Sequence, residues 1–327
     1  MHLQTEKKFK ALSFFSGGGL LDYGMKEYFD FIWANELNPQ PALCYKHNVG
    51  NHIVVGDLEN IINHTPSALP EVDVAVGGPP CFDFTSNNTA GKGQQGEHGK
   101  LIWAYFNGIK LVKPKAIIFE NVIGLYKKHR STLDELINSF RAIGYQISVG
   151  SLNAEPFGVA QSRDRLFIVG IRKDLGFTFR FPQPPHVHKT VRDALSDLPA
   201  PTEVNQPILV PNHVVTWTSP TPERIHDLML HPRNQWIGAR RLQWDNVSPM
   251  IGFNIGKDGR AFLHPEEDRK ITVREFLRLM GVDDSFVIPD TVKITNQYKL
   301  IGNGVAMPVA RALAEALNQQ LRDALST

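Results

Sequence analysis

Three features of this 327-residue chain predict an α/β fold built on a parallel sheet. Short apolar, β-favouring runs alternate with helix-like stretches through the first half. A glycine-rich turn, Phe15-Ser16-Gly17-Gly18-Gly19, follows the first run, and polar residues gather just past the ends of the runs, where ligands collect in such sheets.

The predicted strands, in order, are Ala11 to Phe15, Phe31 to Asn35, His52 to Val55, Val72 to Val76, Ala116 to Glu120, Gln146 to Leu152 and Arg165 to Ile171. Between them the pattern predicts helices, among them Gly19 to Tyr28, Leu101 to Val112 and Ser131 to Ile143. After Phe181 the texture changes. Prolines crowd from Pro182 to Pro222 and the alternation is lost, which predicts a domain boundary. Trp217, Trp236 and Trp244 then fall among Arg224, Arg233, Arg240, Arg241 and Arg260 in short, turn-rich segments that read as a separate, irregular module. From Thr272 the pattern is helical again (Val273, Phe276, Leu277, Leu279, Met280), and a last helix from about Val305 to Leu325 is expected to pack back on the first domain.

Composition narrows the class. With 42% hydrophobic residues the chain can bury one large core and carry a smaller second domain. No run of about 18 apolar residues is present to span a bilayer, and the first ten residues are polar, so a soluble, cytoplasmic protein without membrane contact is expected. The two cysteines, Cys44 and Cys81, are too few for a disulfide framework or a cysteine-rich zinc site, and no metal is expected. A net charge of +2 excludes a strongly basic tail, so any polyanion must meet a local basic surface.

Cys81 ends Val74-Ala75-Val76-Gly77-Gly78-Pro79-Pro80-Cys81, where a strand, two turn-permitting glycines and two stiff prolines deliver one thiol to the mouth of the sheet. That placement suits a nucleophile; a buried cysteine beside a turn is the plain alternative. The glycines after Phe15 suit a nucleotide or an amino-acid carboxylate, or a simple turn. They lack the Gly-Lys-Ser/Thr ending of a phosphate loop, and Asp22 stands where a dinucleotide fingerprint has its third glycine. Glu36 follows the second strand at the spacing of a ribose-binding acid, and Asp57 follows the third. Together these describe an adenosyl pocket without a pyrophosphate cradle. Glu120 ends an apolar strand, where poor hydration should raise its pKa and let its protonated form donate; pairing with Asn121 or an arginine is the alternative. Arg163 and Arg165 alternate, placing two guanidinium groups on one face to grip an oxygen or to form surface ion pairs.

In this order, Phe15-Ser16-Gly17 with Gly19, Asn35-Glu36, Gly56-Asp57, Gly78-Pro79-Pro80-Cys81, Glu120-Asn121-Val122, Gln161-Ser162-Arg163-Asp164-Arg165, Arg269 to Glu275 and Tyr298 to Asn303 resemble the motifs of the DNA (cytosine-5)-methyltransferases. The likeness is to the short bacterial enzymes of restriction-modification systems and spans almost the whole chain. It implies a Rossmann-like, S-adenosylmethionine-dependent sheet with helices on both faces, a discontinuous catalytic domain (1–198 and 290–327) and a target-recognition domain (199–289). It also implies a flipped-out cytosine attacked at carbon 6 by Cys81, with Glu120 at ring nitrogen 3 and the exocyclic amine, Arg165 at the carbonyl oxygen and Arg163 positioning them. S-adenosyl-L-methionine would be held by Phe15, Ser16, Gly17, Gly19, Glu36, Leu37, Asp57, Leu58, Pro79, Leu101 and Asn303, and S-adenosyl-L-homocysteine would leave. Phe82, Ser86, Arg233, Arg240, Arg241 and Arg260 are the expected DNA contacts, on double-stranded DNA, in a monomer associated with the nucleoid and paired genetically with a restriction endonuclease.

The chain departs from this pattern in three places. Phe82 replaces the usual glutamine after the nucleophile, Leu20 replaces a second glycine, and Pro249-Met250-Ile251 replaces a threonine-aliphatic pair. Three other readings compete. A transfer-RNA methyltransferase of the same family would carry a Cys-Phe-Thr signature, and Cys81 is the last cysteine. A catalytically idle DNA-binding relative predicts damage to Cys81, Glu120 or the arginines, and all are present. A nicotinamide oxidoreductase is disfavoured by Asp22 and the Pro-Pro-Cys loop.

Overall fold

The computed structural model describes residues 7–80, 97–203, 206–215, 240–252 and 262–326, with backbone alone at 97, 98 and 240. Strands β1 (Phe9–Phe14), β2 (Phe29–Glu36), β3 (Ile53–Val55), β4 (Val74–Gly77), β5 (Ala116–Val122), β6 (Tyr145–Asn153) and β7 (Asp164–Arg172) form one seven-stranded sheet in the order β3-β2-β1-β4-β5-β7-β6. Each matches an expected strand with shifted ends. The first stops at Phe14 because Phe15 turns into the left-handed region, at φ 54°.

The sheet is parallel as expected except for one reversed strand, β7. β1 to β5 are parallel, but β7 runs antiparallel to both β5 and β6. Only residues 154–163 separate β6 from β7, too short for the helical crossover that parallel neighbours need, so the chain doubles back and inserts β7 beside β5.

Alternation along the strands sorts side chains onto two buried faces. Ala11, Val74, Val76, Ile118 and Phe167 pack against Leu20, Leu21 and Met25 of α1 (Leu20–Met25), and against Val309, Leu313 and Leu317 of the C-terminal helix Met307–Leu325. Leu12, Phe14, Ala75, Ile117, Phe119 and Ile168 face the other way. There they meet Tyr105 and Ile109 of α4 (Glu97–Val112) and Leu136 and Phe140 of α6 (Arg130–Ala142); between lie α2 (Pro39–Asn48), α3 (Leu58–His64) and α5 (Gly124–Lys128). Helices therefore cover both faces, and the last helix does return to α1. Among the described residues no helix is long and apolar enough to cross a membrane.

Leu242, Ile251, Val273, Phe276 and Ile288 join the first of these clusters. A buried polar clamp fixes that region. Thr272 caps the helix Val273–Leu279 through a capping box with Glu275, whose carboxylate accepts both guanidinium nitrogens of Arg269 at 2.9 and 2.8 Å. His213 Nδ1 lies 2.8 Å from Thr272 Oγ1, and Arg274, fully buried, donates to the carbonyls of Pro211 and Phe286. Removing one partner of a buried ion pair costs about 3–5 kcal/mol when it strands the other, and Arg269 keeps a half-exposed second partner in Glu267, at 2.9 and 3.0 Å, so that figure is a ceiling here. Glu275→Ala should lose stability, up to that ceiling, in urea unfolding, and Glu275→Gln, which keeps a cap, clearly less. Equal losses would show that the cap, not the charge pair, carries the energy.

Candidate functional site

A cavity of about 510 Å³ opens at the carboxyl ends of the parallel strands, and its wall follows strand order. Asp57 and Leu58 come after β3, Glu36 and Leu37 from the end of β2, Phe15 to Gly18 after β1, Gly77 to Pro80 from the end of β4 and the turn beyond it, and Glu120 to Val122 from β5. Arg165 of β7, Leu101 of α4 and Asn303 complete it. The size lies within the range of about 300–1,000 Å³ typical of small-molecule sites.

At the β3–β2 end, Glu36 accepts hydrogen bonds from the Gly17 amide at 3.0 Å and the Asn38 amide at 2.8 Å, while burial pushes its pKa up. Asn35 donates to the carbonyl of Gly56 at 2.8 Å and so ties the β2 end to the turn bearing Asp57. Asp57 itself caps α3, accepting from the Glu59 amide at 2.8 Å. The exposed Leu37 and the buried Leu58 add apolar wall there.

At the β5–β7 end, Val122 lies opposite Arg165 and Glu120 opposite Phe167, so Glu120 and Arg165 share one face of the antiparallel pair as diagonal neighbours. Arg165 Nε stands 3.0 Å from Glu120 Oε1, and both side chains are about nine-tenths buried. Burial raises the Glu120 pKa; Arg165 and, secondarily, Arg163 pull it down. Both readings of Glu120 therefore hold at once: it is paired, and it is a readier acid than a solvated carboxyl. Gly78 leaves room for this carboxylate, because a Cβ there would stand 2.8 Å from Glu120 Oε2 and push it aside. Asn121 turns away from Glu120 and donates to the carbonyl of Pro79 at 3.3 Å, bracing the loop that leads into position 81.

Some expected site residues lie elsewhere. Gly19 is not on the cavity wall; its φ is 83° and a Cβ would stand 2.9 Å from Tyr45 and Val49, so packing demands the glycine. Arg163 precedes β7 and does not share the strand face expected for it. Its guanidinium donates to the carbonyls of Gly302 at 2.6 Å, Gly304 at 2.8 Å and Ile251 at 3.1 Å, and so holds the C-terminal end of the helix Ile294–Asn303, which brings Asn303 to the cavity. Arg241, expected to face DNA, commits its guanidinium to the carbonyls of His264 and Glu267 and to the Asp268 carboxylate. Cys81, Phe82, Ser86, Arg233 and Arg260, and the side chain of Arg240, lie outside the described residues. Among the described residues no cluster of three or more His, Cys, Asp or Glu is placed to hold a metal.

The sequence reading missed Asp22 as a site residue. It lines the cavity yet is wholly buried, accepts from Ser13 Oγ at 3.0 Å, and has its pKa pushed up to about 7, chiefly by burial. A carboxylate inside the apolar run Leu20-Leu21-Asp22-Tyr23 was the available signal.

The family described as C-5 cytosine-specific DNA methylase matches residues 9–319. The chain is 33% identical to the Type II methyltransferase M.MthTI of Methanothermobacter thermautotrophicus, over 96% of this chain and 98% of that protein. It is 30% identical to the Type II methyltransferase M.NgoFVII of Neisseria gonorrhoeae, over 96% and 87%. In fold it is similar to the Entamoeba histolytica methyltransferase EhMeth, with a TM-score of 0.71 at 18% identity over 98% of this chain and 99% of that one.

Because the folded protein holds the Asp22 proton up to about pH 7 and an unfolded chain only to about 3.8, stability from this group is full below pH 4 and is lost as pH rises through 7. At about 1.36 kcal/mol per pH unit, the ligand-free wild type should lose roughly 2–3 kcal/mol relative to Asp22→Asn between pH 5 and pH 8. Urea unfolding of both proteins at the two pH values checks this; parallel changes would refute it.

Proposed function

The chain belongs to the C-5 cytosine-specific DNA methylases, and from that premise we propose that it methylates carbon 5 of a flipped-out cytosine in a short duplex DNA sequence, through a covalent adduct at Cys81. The methyl donor is S-adenosyl-L-methionine, which supplies an electrophilic methyl on a sulfonium. The chain's likeness to proteins named Type II methyltransferases supports a role in modification that protects DNA from a partner restriction endonuclease.

The observation that carries this reading is the Glu120–Arg165 pair, which shares a cavity with Pro79 and Pro80, the residues just before Cys81 in the sequence. Cytosine carbon 5 is a poor nucleophile, so the Cys81 thiolate first bonds to carbon 6 and electrons move into the ring. Glu120, with its raised pKa, donates to ring nitrogen 3 as negative charge develops there, and Arg165 holds the carboxyl and supports the carbonyl oxygen. Carbon 5 then takes the methyl group. Loss of its proton and departure of the Cys81 sulfur restore the aromatic ring.

The cavity suits the donor. Glu36, held by two backbone amides, would accept ribose hydroxyls, and Leu37, Leu58 and Leu101 would offer apolar surface to an adenine. Asp57, Phe15, Ser16, Gly17, Pro79 and Asn303 complete the contact. We assign residues 1–198 and 290–327 to catalysis and 199–289 to reading DNA, with Phe82 at the place vacated by the flipped base. Arg163 is a positioning residue. The protein acts as a monomer on cytoplasmic, nucleoid DNA.

Cys81→Ser should abolish methylation, read by bisulfite sequencing of plasmid DNA from expressing cells, while leaving S-adenosyl-L-homocysteine and DNA binding within about twofold of wild type. Retained near-normal methylation would rule out covalent catalysis by this residue.

A further inference from the structure

Asp22 has no part in the chemistry above, yet it lies on the wall of the same cavity. It hangs from α1 toward β1, where Ser13 Oγ satisfies Oδ1. Oδ2 is sealed from solvent and has no hydrogen-bond partner. The hydroxyl of Tyr45 on α2, which also lies 3.0 Å from His52 Nε2, is a second hydrogen-bonding neighbour that pulls the Asp22 pKa down, and among the described residues no lysine or arginine forms an ion pair with Asp22. A buried carboxylate oxygen with no partner is costly, and a cationic donor is what would relieve it.

The other carboxylates of the cavity are already engaged. Glu36 takes two backbone amides, Asp57 caps a helix, and Glu120 faces Arg165. With the nucleoside at the β2–β3 end and the sulfonium near Glu120, the donor's third arm, its amino acid, must lie over β1, between those ends and next to α1. That arm carries the molecule's one protonated amine. Lys299 and Asn303 line the same cavity and suit its carboxylate.

We propose that Asp22 binds the α-ammonium of the methyl donor through Oδ2, as a binding residue specific for the amino-acid arm; this rests on the assignment of the cavity to S-adenosyl-L-methionine. Ser13 then fixes the rotamer, and the ligand supplies the cation that the protein does not.

The test is isothermal titration of S-adenosyl-L-homocysteine and of its analogue with hydrogen in place of the amino group, at pH 6 in buffers of different ionisation enthalpy. A charge-assisted hydrogen bond of about 1.5–3 kcal/mol corresponds to a preference of roughly 10- to 150-fold for the amino-bearing ligand. Because Asp22 is protonated at pH 6 and must ionise to meet the ammonium, that ligand alone should release a proton to the buffer. Asp22→Asn should erase both differences. Equal affinities and equal proton release for the two ligands in the wild type would overturn the proposal, as would an Asp22→Asn protein that keeps both differences; the wild-type comparison decides by itself should the variant fail to fold. Failure of the wild type to bind either ligand would instead sink the methyl-donor reading, and this assignment with it.

Discussion

The site depends on one diagonal contact across an antiparallel strand pair, the buried ion pair of Glu120 and Arg165. A parallel strand next to β5 would end on the same side of the sheet as its neighbours and carry its arginine away from the end of β5. Running β7 backwards brings the start of that strand, where Arg165 sits, to the end of β5, where Glu120 sits. A carboxyl this deep is disfavoured as an anion, and a lone one would be neutral. The guanidinium beside it offsets part of the desolvation, while burial keeps the carboxyl pKa above its usual value.

Around that pair, buried polar side chains hold neighbouring backbone segments in place. Asn121 braces Pro79, Asn35 fastens the turn before Asp57, and Arg163 gathers three carbonyls from two distant segments. Each satisfies backbone groups that irregular loops at the end of a sheet would otherwise leave unmatched. Arg163 joins the segment at Ile251 to the end of the helix carrying Asn303, so it ties that segment to the wall of the cavity. The same economy explains Gly78, where the backbone must pass within contact distance of the Glu120 carboxylate.

Much of this was legible from residue order. Apolar runs located all seven strands, because a strand covered on both faces must be continuously apolar, and the ends of those runs located Glu36, Asp57 and Glu120 on the cavity. Strand direction was not legible from alternation. It followed from the short link between β6 and β7, a length that the predicted boundaries contained but that the helix-strand rhythm obscured. Individual roles were harder still. Gly19, Arg163 and Arg241 belong to the right segments, yet their side-chain positions answer to tertiary neighbours (Tyr45, the 302–304 carbonyls, Asp268) that periodicity does not encode. Asp22 was read only as a missing glycine, since nothing local reveals that Ser13 and Tyr45 enclose it.

The most direct measurement of the account is the rate at which the protein becomes covalently attached to duplex DNA carrying 5-fluorocytosine at the modified position, with the methyl donor present. Fluorine cannot leave as the carbon 5 proton does, so the adduct should persist through denaturing electrophoresis and map to Cys81. In Glu120→Gln its formation should slow by about 10²- to 10³-fold, the usual cost of removing a group that stabilises developing charge. Absence of an adduct in the wild type, or an adduct that forms in Glu120→Gln at the wild-type rate, would contradict the account.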